Sequence, residues 1–143
     1  MASANVEFVR SIYTAWERGD WSSAAWADPQ IEFVIADGPV PFRTTGVRGM
    51  REGWRSWLSA WEGFGMRAEE FRELDDERVL VLHRYSGRGK SSGVELDEMR
   101  ARAAIVVHVR DAKVTRLVGY NDREHALADL APASRPHAAE PPP

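Results

Sequence analysis

The chain has 143 residues, no cysteine and a formal net charge of −3 at pH 7, with 43% hydrophobic and 29% charged residues. That length fits one domain with a proper core, and the missing cysteines exclude disulfide and thiol chemistry. Mild acidity, mixed in sign along the chain, offers nothing to nucleic acid or an anionic membrane; with no leader-like opening and no bilayer-length apolar run, a cytoplasmic protein is expected.

Ser3 stands where a helix N-cap is wanted, with Glu7 in the first turn. Val6, Val9, Tyr13 and Trp16 follow at helical spacing, and Arg18-Gly19 closes the helix. A short second helix is expected from Ser22 through Trp26, stopped by Asp28-Pro29. Ile31, Phe33 and Ile35 alternate as a strand that Asp37-Gly38-Pro39 breaks, and 40–46 reads as a loop. A third helix is expected over 47–61, with Val47, Met50, Trp54, Trp57, Leu58 and Trp61 as its apolar stripe. Gly53 inside it costs about 1 kcal/mol relative to alanine.

Strand-like runs follow at 66–74 and 78–85, separated from the next by a mobile hairpin loop, Ser86 to Gly93. That loop is rich in Gly, Lys and Arg but has strands on both sides and no Walker spacing, so it is not a phosphate loop. From Arg100 to Arg110 the residues alternate strictly. One face carries Ala101, Ala103, Ile105, Val107 and Val109; the other carries Arg100, Arg102, Ala104, Val106, His108 and Arg110. A turn at Asp111-Ala112-Lys113 and a second β-branched run complete a hairpin. Asp122 reads as the N-cap of a last helix carrying Ala126, Leu127 and Leu130. The expected domain is 1–131, with 132–143 a mobile Pro/Ala-rich tail. Helices against a run of antiparallel strands make an α+β fold: a cone-shaped, strongly curved antiparallel sheet closing with the N-terminal and central helices around a pocket.

Several stretches resemble the SnoaL-like branch of the nuclear transport factor two-like superfamily, which has the cystatin-like, ketosteroid-isomerase-like fold. They are Asn5 to Arg10, Trp16 to Trp21, Gly46 to Met50 leading into Trp54 to Glu62, Ser92 to Glu95, Val109 to Val114 and Tyr120 to Leu127. The family usually has glycine where this chain has Ala112, so the resemblance implies a different turn type here.

The resemblance implies a pocket for a small apolar molecule, no cofactor and a homodimer paired through the outer sheet face. Asp37 matches the segment that holds the ketosteroid isomerase base, and is a candidate general base. Ile12 falls where that enzyme's tyrosine should be and Ile105 where its second aspartate should be, so its oxyanion hole is absent. The Arg-x-Asp pair of limonene epoxide hydrolase is absent too, since two residues after Arg84, Arg100 and Arg102 stand Ser86, Arg102 and Ala104. His83, mid-strand, is the second acid/base candidate if its pKa is tuned to physiological pH; the plainer alternative is a hydrogen-bonded core histidine. Pocket-lining positions are Tyr13, Trp16, Phe33, Trp54, Trp57, Tyr85, Ile105 and Tyr120. No two histidines have ligand spacing, so no metal site is expected. Arg84, if buried, needs Glu32, Glu70 or Asp97 as partner, and His108 belongs on the solvated or dimer-facing side. Two functions remain open: an isomerase, cyclase or hydratase-type enzyme using acid/base chemistry, or a ligand-binding or dimeric interaction module without chemistry.

Overall fold

In a computed structural model, which describes residues 3–37, 42–90 and 102–134, the Ser3 hydroxyl accepts the Val6 N–H at 3.0 Å. This bond opens α1 (Ala4–Glu17), which ends at Arg18 with Gly19 at φ 82°. At 14 residues α1 would be marginal in isolation, so packing holds it. Val9, Ile12, Tyr13 and Trp16 are buried against Val79 and Val81 of β4 (Arg78–Gly89) and Ile105 and Val107 of β5 (Arg102–Arg110). Each fully buried side chain of this size contributes roughly 1.5–3 kcal/mol.

Six strands form one sheet in the order β2-β1-β6-β5-β4-β3, with β1 at Ala27–Ile35, β2 at Phe42–Thr45, β3 at Trp61–Glu73 and β6 at Lys113–Tyr120. The strand pairs are antiparallel except β1–β6, which is parallel, so the sheet is mixed. Register shifts interrupt β3 between Glu62 and Gly65 and between Ala68 and Glu70, and such bulges bend a strand. Helices α1 and α2 (Val47–Ser59) pack on the inner face. On the outer face Leu80, Leu82, Ala104 and Val106 form a second apolar cluster, which takes in Ala126 of α3 (Arg123–Ser134). Gly53 is where α2 comes close to the sheet: a Cβ there would meet ring carbons of Phe33 at 3.1 Å and Phe42 at 3.2 Å.

Several elements differ from expectation, each for a local reason. No helix forms at Ser22–Trp26. Asp20 Oδ1 accepts both the N–H (3.1 Å) and the hydroxyl (2.7 Å) of Ser22, and the Trp26 indole donates to the Ser23 carbonyl, satisfying groups a helix would have used. Part of the expected 40–46 loop is β2, paired on β1 from Glu32↔Thr45 to Ile35↔Phe42. Helix α2 stops at Ser59, because Trp61 begins β3 opposite Gly89 and leaves the helical stripe. Strand β4 accordingly runs to Gly89, through half of the expected loop. The β5–β6 turn keeps both central residues left-handed, Asp111 at φ 53° and Ala112 at φ 59°. The turn type expected for a glycine is therefore retained by alanine. Arg84 is half-exposed and pairs with Glu69 at 3.5 Å, not with Glu32 or Glu70, which meet Arg43 and Arg72. His108 is half-buried between Arg78 and Arg116 on the neighbouring strands. Asp122 does cap α3, accepting the Glu124 N–H at 3.0 Å, and the helix continues to Ser134. Ala101, Asp97 and the segment from 135 onward lie outside the described residues.

Candidate functional site

Strand β1 ends at Ile35, and the Ala36 N–H still reaches the Gly119 carbonyl of β6 at 2.9 Å. Pairing that persists this far places Asp37 beside the end of β6. Asp37 Oδ1 accepts the Asn121 N–H at 2.7 Å and Oδ2 accepts the Asp122 N–H at 3.0 Å. These are donors just ahead of α3, in the region where helices leave N–H groups unpaired. Asp37 is 8% exposed, and His125 of α3, half-exposed, brings its Nδ1 to 3.6 Å from Oδ2.

The same residue lines a cavity of about 400 Å³ between α2 and the inner sheet face. Phe33 and Ile35 come from β1, Trp54 and Trp57 from α2, Met66 from β3, His83 and Tyr85 from β4, Ile105 from β5, and Gly119 and Asn121 from the end of β6. Phe33 and Trp54 stack at 5.9 Å, and Trp57 and Tyr85 lie 5.5 Å apart, so the walls are largely aromatic. Among the described lining residues, Asp37 is the one carboxylate and His83 the one imidazole.

His83 is 1% exposed, and its Nδ1 lies 2.8 Å from the Tyr13 hydroxyl. Burial, reinforced by the Arg123 charge, holds the imidazole down at about 3, so it is neutral at physiological pH. An imidazole held that low is a weak base and differs from one tuned to titrate near 7. Among the described residues its buried Nε2 has no hydrogen-bond partner, and neither has the buried indole Nε1 of Trp57. Burial, with the Asp37 charge adding to it, pushes the Tyr85 hydroxyl well above the ordinary tyrosine range. Arg123 ties the wall together, donating to Glu69 at 2.6 Å and to the His83 carbonyl at 2.9 Å. That bond holds the Glu69 carboxyl below its usual range.

Of the expected site residues, Asp37, His83, Phe33, Trp54, Trp57, Tyr85 and Ile105 meet at this cavity. Tyr13 lies behind His83. Trp16 packs on Trp21, Trp26 and Trp54 and lines a separate cleft. Tyr120 is on the other face of the sheet, its hydroxyl donating to Asp129 at 3.0 Å. Period two, counted from buried Leu117, sends Gly119 and Asn121 inward and Tyr120 outward; that count would have found Asn121. Among the described residues no three His, Asp or Glu side chains are grouped to hold a metal ion, and no helix is long and apolar enough to cross a membrane.

A family model of the SnoaL-like domain matches residues 9–117. Among solved structures, an NTF2-like protein of unknown function from Burkholderia pseudomallei K96243 superposes with a TM-score of 0.72 at 18% identity, over 89% of this chain and 97% of the other. An NTF2-like protein from Burkholderia thailandensis E264 gives 0.70 at 22% identity, over 82% and 90%. TerC, co-crystallised with polyporic acid, gives 0.69 at 21% identity, over 90% and 98%. At these identities the likeness is one of fold. No curated protein matches the chain.

Proposed function

The chain belongs to the SnoaL-like domain family, and from that premise we propose that its cavity takes a small, flat, largely apolar molecule. On this reading Asp37 performs cofactor-independent acid/base chemistry of isomerase, cyclase or hydratase type. One observation carries it: an aromatic-walled cavity of about 400 Å³ in which a single carboxylate lies among the described lining residues. Isomerisation or cyclisation needs one group to take a proton from the substrate and return it elsewhere, with no co-reactant. Asp37 is the group whose chemistry fits, while neutral His83 serves to bind and orient. The co-crystallisation of TerC, similar in fold, with polyporic acid supports an organic ligand of comparable kind.

Incubation with a panel of hydroxylated aromatic ketones and quinones, followed by absorbance and product analysis, tests this reading. Turnover by the wild type that is lost in Asp37→Asn supports it, and turnover unchanged in that variant refutes the role of Asp37. Binding without turnover is the second reading. It is favoured by the Asp37 carboxylate, both of whose oxygens already accept a backbone N–H. Saturable binding with no product from any compound on the panel would decide for it.

A homodimer and a cytoplasmic setting remain part of the proposal. The apolar centre of the outer sheet face already includes α3, so pairing would use the strands beside it. Light scattering at high concentration reads the outcome directly.

A further inference from the structure

We propose that Tyr13 fixes His83 in the tautomer that carries its proton on Nε2, making His83 a neutral N–H donor that selects ligands bearing a carbonyl-type acceptor. Tyr13 and His83 are each 1% exposed, and the hydroxyl–Nδ1 contact of 2.8 Å is a hydrogen bond in one of two senses. If Nδ1 carried the proton and donated to the phenol oxygen, the Tyr13 hydroxyl proton and the Nε2 lone pair would both be buried without a partner. If Tyr13 donates to Nδ1, the hydroxyl proton is matched, the Nε2 lone pair is replaced by an N–H, and that N–H is the one unmatched group that remains. Burying fewer unmatched polar groups favours the second arrangement.

Nε2 is buried and has no hydrogen-bond partner among the described residues, in a side chain that lines the cavity. A buried donor left unmatched by the described residues is where a ligand acceptor gains a hydrogen bond. A carbonyl, quinone or carboxyl oxygen does so; a methylene or an ammonium group does not. His83 is then a specificity-determining residue and Tyr13, acting through it, a positioning residue. The selection of ligands rests on the cavity reading given above; the tautomer does not.

Two measurements test this. The first is a two-bond nitrogen–proton correlation spectrum of the histidine rings in the ligand-free protein, in which protonated and bare ring nitrogens resonate far apart. The expected result is Nε2 protonated and Nδ1 bare in the wild type, with that bias lost in Tyr13→Phe. A proton on Nδ1 overturns the proposal, as does a bias unchanged in Tyr13→Phe. The second is calorimetric titration with 9-fluorenone and with fluorene, which share a flat tricyclic frame and differ in the carbonyl.

Wild-type protein is expected to prefer fluorenone by up to about tenfold, the effect of one neutral hydrogen bond. In His83→Phe the preference is expected to fall to none. Equal affinities in the wild type overturn the selection of carbonyl ligands. If neither compound binds, the cavity reading falls, and the tautomer is still decided by the spectrum.

Discussion

The carboxylate of Asp37 and the backbone N–H of Asn121 meet at 2.7 Å across 84 residues of chain, joining the end of β1 to the approach to α3. One side chain therefore does two things: it satisfies the backbone ahead of a helix and it places a negative charge at an apolar cavity. The two roles separate experimentally. Asp37→Asn retains one carbonyl oxygen where the carboxylate offered two, so one of the two backbone bonds is expected to be lost. The loss should lower stability by roughly 1–2 kcal/mol in denaturant unfolding, while any turnover falls by a much larger factor. A variant as stable as the wild type would show that the two bonds contribute little.

His83 makes stability depend on pH with a definite sign. Its pKa is about 3 in the folded chain and near the ordinary 6.5 when unfolded. Between those values the unfolded state binds the extra proton, so folding stability is full above about pH 6.5 and falls as pH drops toward 3. The slope from this residue is about 1 kcal/mol per pH unit. Urea unfolding from pH 6.5 to 4.5 is expected to show a shallower slope in His83→Phe than in the wild type. Identical slopes would mean that the imidazole charges readily in place.

Ala112 holds φ 59° in the β5–β6 turn, a conformation that glycine adopts freely and alanine does not. Ala112→Gly is expected to raise stability by roughly 1 kcal/mol, read as a higher melting temperature with no change in ligand binding, because the turn does not line the cavity. A lower melting temperature would indicate that the alanine methyl has a packing role.

Arg123 donates to Glu69 at 2.6 Å and to the His83 carbonyl at 2.9 Å, with its side chain only 15% exposed. Arg123→Met removes the charge, these two bonds and the longer one to the Ala103 carbonyl at 3.5 Å, while keeping much of the bulk. It is expected to cost about 2–3 kcal/mol in thermal or denaturant unfolding, since bonds involving charged groups are the stronger kind. A cost near zero would make the contact a dispensable surface pair.

Much of this was legible before any coordinates, and the reason is periodicity. The alternation through Ile105 and Val107 gave the inner face of β5, and the helical spacing of Val9, Tyr13 and Trp16 gave the buried side of α1. The resemblance supplied Asp37, and His83 came from its place in an apolar strand. What escaped depends on contacts or on parity miscounted near an element's end. The Ser22–Trp26 segment has helix-like residues, yet side-chain bonds to its own backbone hold it irregular. Tyr120 resembles a pocket residue in type, yet its neighbours Gly119 and Asn121 take the inward face. The neutral state of His83 is set by burial and then by the Arg123 charge, neither of which is visible in its neighbours along the sequence.

The most direct test of the cavity itself is a crystal structure of the full chain soaked with 9-fluorenone. The tricycle is expected between Phe33, Trp54 and Tyr85, with its carbonyl oxygen within hydrogen-bond distance of His83 Nε2. The compound seated instead in the tryptophan cleft around Trp21 and Trp26, with the cavity closed to it, would contradict the account.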